Sequence, residues 1–404
     1  MSEKIPVAQR LSAVKPSATV AVAQRARELK GQGIDVLSFS VGEPDFDTPA
    51  HIREAAKKAI DSGATRYTAA RGTVELREAI CEASAKRRAG VTYDPSEVVV
   101  SVGAKHTLFN LALALYDEGD EVLIPAPYWV SYPEQVRLAG ANPVIVQTTE
   151  EEGFRMTPDA LRAAITPKTK ALILCSPSNP TGSAYTGEQL RALADVAAKH
   201  NFWIIVDEIY GQLVYGGFEQ KSIAEVAPEL KDRIIIVDGV SKTFAMTGWR
   251  IGWMLAPEYV TKACEKIQGQ STTNPSSVAQ HAAIAALRGP WAPMEEMRQA
   301  FEERRSIIVD GLNAIDGISC GVPEGAFYAF ANVQALIGKQ GGGKTLETDI
   351  DVAGYLLEEA RCAVVPGTAF GAPGFVRISY AASNDMIREG LSRIGDAVGK
   401  LARD

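Results

Sequence analysis

The chain has 404 residues, 46% hydrophobic and 23% charged, the make-up of a globular protein too long for one compact core. A net charge of -7 argues against nucleic acid or an anionic membrane as partner. No apolar stretch approaches the ~20 residues of a membrane span, and residues 1–9 lack the apolar centre of a signal peptide.

Residues 1–46 carry no clear strand–helix alternation and are expected to pack on a second, smaller domain. From residue 98 onward short β-branched runs alternate with helical patterns. Strands are predicted over 98–102, 121–124, 143–146, 171–175, 203–206, 234–237 and 251–255. Amphipathic helices are predicted over 107–116, 157–165 and 186–200, the last opened by Thr186 with a glutamate two positions on. Such alternation gives an α/β fold with a mainly parallel seven-stranded sheet covered by helices on both faces. The connection from Asp238 to Arg250 has no helical pattern, so one strand should run antiparallel. Past residue 290 the pattern changes to a long charged helix, 291–312, and strands over 325–333 and 376–380. We therefore expect a large domain over 47–290 and a smaller α+β domain over 291–404.

Residues 338–345 read GKQGGGKT and match a phosphate-loop pattern letter for letter. The required buried strand before it and helix after it are not evident, yet it leaves an ATP-binding protein as a rival reading. The five cysteines (Cys81, Cys175, Cys264, Cys320, Cys362) show no CxxC spacing, which favours free thiols and a reducing, cytoplasmic setting. The four histidines form no HExxH pair, so no metal is expected.

Ser241-Lys242-Thr243-Phe244-Ala245-Met246-Thr247-Gly248-Trp249-Arg250 lies between two apolar runs. A lysine held beside a core loses proton affinity and becomes a nucleophile towards a carbonyl. An arginine close by suits a phosphate. Together they point to pyridoxal 5'-phosphate. Ligands of a doubly wound sheet bind beyond the strands' carboxyl ends, and polar residues stand at five of them. Asp207 suits the pyridine nitrogen, although a carboxylate after a strand also suits a helix N-cap. Tyr210 and Asn179 could reach the ring hydroxyl, and Trp129 could stack on the ring. Gly103 and Ala104 offer bare backbone amides to the phosphate, with Ser241 and Arg250 completing the cradle.

In this set and in its motifs the chain resembles fold-type I pyridoxal phosphate enzymes. Within them it resembles class I aminotransferases of the bacterial and plastid aspartate/prephenate group. The motifs run in order from LSAVKPSAT (11–19) and GEPDFDTP (42–49) through PYWVSYP (127–133), SPSNPTG (176–182) and VDEIY (206–210). They continue with SKTFAMTGWRIGW (241–253), VPG (365–367) and VRISY (376–380). The resemblance implies that Lys242 forms the Schiff base and then shuttles the substrate proton, with Asp207 and Tyr210 supporting it. It implies that Arg377 clamps the substrate α-carboxylate, with Gly42, Trp129 and Asn179 around it. Tyr67 would reach the phosphate of a neighbouring subunit, making a homodimer with shared sites. The arginine that many relatives carry before an Asn-Pro is absent from residues 268–275. Lys105, after the phosphate loop, is expected to hold the substrate's distal carboxylate. Lys15, with Ser17 and Thr19, resembles the element associated with prephenate. The implied activity is ping-pong amino transfer between L-aspartate or L-glutamate and their 2-oxo acids, with small-molecule partners only. An aminotransferase for aromatic or neutral amino acids, or a lyase, stays open.

Overall fold

In a computed structural model of the chain, residues 7–15 and 18–401 are described. Ser17 lies outside them, as do the side chains of residues 18–21 and 23.

The strands are β1 (Val98–Ser101), β2 (Glu121–Ala126), β3 (Asn142–Gln147), β4 (Thr169–Cys175), β5 (Trp203–Asp207), β6 (Ile234–Gly239) and β7 (Gly252–Leu255). They form one seven-stranded sheet in the order β1-β7-β6-β5-β4-β2-β3. Only β7 runs antiparallel, to both of its neighbours. The link from β6 to β7 is too short for a crossover helix, as its sequence implied.

Successive residues of each central strand enter opposite cores. Ile234 and Ile236 of β6 pack on one face, with Ile204 and Val206 of β5. Ile235 and Val237 pack on the other, with Ile205. This two-sided burial explains why these strands read as continuous apolar runs. Each fully buried Val or Ile contributes about 1.5–3 kcal/mol.

Helix Gly187–Ala197 begins with a capping box of Thr186 and Gln189, so the reciprocal partner is Gln189 and not Glu188. The helix predicted at 107 starts at Ala104, for reasons given below.

A second sheet contains β8 (Ser319–Cys320), β9 (Tyr328–Asn332), β10 (Val365–Pro366) and β11 (Phe375–Ser379), ordered β10-β11-β9-β8 and antiparallel throughout. Its core includes Phe301 and Ile308 of the long helix Ala292–Asn313. The N-terminal segment joins this part of the molecule: Leu37–Ser38 pairs in parallel with Cys362–Ala363. Residues 338–345 form a small hairpin, Gln340–Gly341 against Lys344–Thr345. The next helix begins only at Asp349, and Lys344 Nζ bonds Asp351 Oδ1 at 2.8 Å. That is not the strand–loop–helix form of a phosphate loop, and the ATP-binding reading falls.

Candidate active site

Beyond the carboxyl ends of β4, β5 and β6 lies a cavity of about 510 Å³, closed on its other side by Tyr328 and Arg377. The loop between β6 and β7 projects Lys242 into it. Phe244 and Met246 anchor this loop in the core, and Thr48 Oγ1 donates to Ala245 O at 2.6 Å. Ala245 and Arg250 hold φ of 51° and 56°, a left-handed backbone that persists only where the surroundings enforce it. Lys242 Nζ donates to Gly42 O at 2.6 Å. The side chain is part-buried along the cavity wall. Burial, reinforced by the Arg250 and Arg377 charges, pushes its pKa down to about 8, against the pull of Glu43 and Asp207.

Asp207 ends β5. Its Oδ2 accepts from Tyr132 Oη at 2.8 Å, and its Oδ1 from the Ile209 N–H at 3.2 Å. Burial pushes this carboxyl up to about 6, while those two hydrogen bonds oppose the rise. No helix starts here; the chain turns instead through Gly211 N–H to Glu208 O. The N-cap explanation of Asp207 is therefore excluded.

Arg377 sits on β11 opposite Phe330 of β9 and is 3% exposed. Its Nη1 donates to Asn179 Oδ1 at 2.8 Å and its Nη2 to Ser40 O at 2.7 Å, leaving Nε unpartnered. Its guanidinium lies 4.6 Å from the centre of the Tyr328 ring. The Tyr328 and Tyr210 hydroxyls are 2.8 Å apart.

At the other end of the cavity, helix Ala104–Leu115 begins at Gly103, whose φ of 85° no side chain needs to cap. This glycine explains the early start, because the sequence offers no Ser, Thr, Asp or Asn there to announce it. The first turn has no side-chain cap, and its residues Ala104 and Lys105 line the cavity, which suits an anion. A Cβ on Gly103 would come within 2.5 Å of Arg250 Nη2, and one on Gly252 would overlap Ala104 N. Two glycines thus let Arg250 and β7 close on the helix end. Lys105 Nζ lies 4.9 Å from the centre of the Trp129 ring.

Gly42, Ala104, Lys105, Trp129, Asn179, Asp207, Tyr210, Ser241, Lys242, Arg250 and Arg377 thus line one cavity, with Gly103 behind them. Two singled-out residues stand apart. Tyr67 is 88% exposed, and Lys15 is exposed with its N–H on Glu134 Oε2. Reading the sequence missed Tyr132, Tyr328 and Arg27, which also line the cavity. Tyr132 lies inside the PYWVSYP motif, but its partner Asp207 is 75 positions away. Among the described residues no group of three or more His, Cys, Asp or Glu could hold a metal ion, and no helix is long and apolar enough to cross a membrane.

Residues 34–394 match the model of a family described as aminotransferase class I and II. The chain belongs to this family. Among its relatives is an aspartate aminotransferase of Geobacillus stearothermophilus, 50% identical over 96% of this chain and 98% of its own. An aspartate/prephenate aminotransferase of Cereibacter sphaeroides is 48% identical over 95% of this chain and 96% of its own. The crystal structure of the Rhizobium meliloti aspartate aminotransferase superposes with a TM-score of 0.96, at 45% identity over 99% of this chain and all of that one. This aminotransferase therefore has the fold as well as the motifs of its class.

Proposed function

We propose that this aminotransferase uses pyridoxal 5'-phosphate to exchange the amino group between L-aspartate or L-glutamate and their 2-oxo acids. The observation that carries this reading is the cavity with Lys242, Asp207 and Arg377 on separate walls and an uncapped helix end beside Arg250. Those residues fit the cofactor group by group. The glycine-lined helix end with Ser241 and Arg250 suits a phosphate; Asp207 suits the ring nitrogen; Tyr210 and the Asn179 amide suit the ring oxygen; Trp129 suits the ring face. When bound, the cofactor supplies an aldehyde that takes the amino group and a ring that withdraws electrons from the substrate carbon.

The chain supplies the rest. The guanidinium of Arg377, held at Nη1 by Asn179 and at Nη2 by Ser40 on the cavity wall, suits the substrate α-carboxylate. Lys242 Nζ, whose proton is loosely held, moves the proton at the substrate α-carbon. Asp207 holds the ring nitrogen's proton. The exposed Tyr67 suits a side chain that completes the site of a second copy, so a homodimer is the working unit we propose. The five unpaired cysteines favour a reducing compartment, hence the cytoplasm. The pairing of Leu37–Ser38 with Cys362–Ala363 supports a segment 1–46 that packs on a small domain 291–404, beside a large domain 47–290.

Lys105 at the cavity rim is our choice for the distal carboxylate. Lys105→Ala is expected to cost about 1.5–3 kcal/mol in kcat/KM for aspartate, the value of a charge-assisted hydrogen bond. A neutral or aromatic donor should be almost untouched. Equal losses for both would mean damage at the phosphate end, and no loss would move the role to Arg27. Prephenate is a further acceptor we propose from the Lys15 element and the aspartate/prephenate relative. A panel of donors and oxo-acid acceptors, prephenate included, tests the whole reading; absence of transfer from aspartate would overturn it.

A further inference from the structure

The residue after Asp207 faces the other way. Asp207 follows Val206 on β5 and points into the cavity, so strand alternation sends Glu208 to the opposite face. There it is 6% exposed and meets Arg88, 4% exposed, at the end of helix Val74–Arg87. Arg88 Nε and Nη2 both donate to Glu208 Oε2, at 3.0 and 2.6 Å. Ser222 Oγ donates to Glu208 Oε1 at 2.5 Å. Asp238, on the neighbouring strand β6, accepts from Arg88 Nη2 at 3.4 Å and from Arg87 Nη1 at 3.2 Å. Two carboxylates and two guanidinium groups are thus buried together directly behind the cavity. Such buried ionic groups are weak evidence of a stability role, because well-packed apolar residues of similar volume often serve as well or better.

We propose that Arg88 is a positioning residue for Asp207. By cancelling the charges of Glu208 and Asp238 behind the sheet, it sets the proton affinity of the cavity-facing carboxylate. Both of those carboxylates oppose ionisation of Asp207, after the larger effect of burial. On the cavity side Asp207 faces Tyr132 from helix Ser131–Leu138, Cys175 from β4, Tyr210 beyond its own strand, Lys242 from the loop after β6, and Arg377 from β11. None of these belongs to the quartet. Variants behind the sheet therefore change the electrostatics and leave the cavity's own groups in place. The bearing on catalysis rests on the role proposed for Asp207, whereas the titration belongs to the cofactor-free chain.

The test is an infrared titration of cofactor-free protein, with the Asp207 carboxyl band assigned by its loss in Asp207→Asn. Glu208→Gln leaves an extra positive charge and should lower the Asp207 midpoint by about one pH unit. Arg88→Met leaves an extra negative charge and should raise it by a similar amount. Arg88→Met/Glu208→Gln together restore the balance and should return it near the native value. A purely structural role would move both single variants the same way or neither, and either result overturns the proposal. Where Arg88→Met does not fold, Glu208→Gln decides alone: a midpoint unchanged or raised overturns it. Failure of the cofactor reading would look different, since native protein would then take up no pyridoxal phosphate while the titration shifts remained.

Discussion

Lys242→Ala is expected to lower kcat for transamination by about 10⁴-fold or more, because the attacking amine and the proton shuttle vanish together. Ordinary lysine is only a few tenths of a per cent neutral at pH 8, whereas an amine with a pKa near 8 is about half neutral there. The native cofactor-free protein should therefore capture pyridoxal phosphate at a rate that rises with pH around a midpoint near 8. Lys242→Ala should still bind the cofactor non-covalently through Arg250, Ser241 and Asp207, seen by equilibrium dialysis. Fold and melting temperature should hardly change, since Nζ makes one hydrogen bond, to Gly42 O. A variant that keeps more than a hundredth of native turnover would show that another group moves the proton.

Asp207→Asn separates function from stability with opposite signs. Losing the charge opposite a protonated ring nitrogen should raise the barrier by about 3–5 kcal/mol, on the order of 10²–10⁴-fold in single-turnover rate. Asp207→Glu, which keeps the charge, should lose much less. Stability should go the other way in the cofactor-free protein. The folded pKa of Asp207, about 6, lies above the ordinary aspartate value of 3.8. The folded chain thus holds this proton more tightly than the unfolded chain, and stability falls as pH rises between about 4 and 6. At pH 7 the buried charge costs roughly 2–3 kcal/mol as an upper figure. Asn avoids that cost and can still accept from Tyr132. Thermal unfolding should show Asp207→Asn melting higher than native at pH 7.5, with the gap roughly halved at pH 5 and closing only below pH about 4. A lower melting point at pH 7.5 would contradict the burial argument.

Much of the fold was legible because its driving pattern is local. The seven apolar runs fall on the seven strands within two residues at each end, since strands buried on both faces write themselves as unbroken β-branched segments. The antiparallel β7 was legible from the missing helix between Asp238 and Arg250. The helix at Ala104 was read three residues late, because a glycine with φ of 85° gives no polar capping signal. In the site, the residues at strand ends were legible one by one. Their mutual contacts were not. Tyr132 on Asp207, Tyr328 on Tyr210, and Arg88 on Glu208 join positions 75, 118 and 120 apart. Nothing in local periodicity pairs such positions; only the packing of helices and of the second sheet against the first brings them together. Arg27 was hidden in the same way, on helix Ala18–Gly31, whose pattern says nothing of the cavity it lines.

The central claim is that Lys242 carries the cofactor. Purified protein loaded with pyridoxal phosphate should be reduced with borohydride, digested and mapped by mass spectrometry. The expected result is one pyridoxyl group per chain, on the peptide containing Lys242, with loss of the label in Lys242→Ala. A pyridoxyl group found chiefly on Lys105 or any other lysine would contradict it.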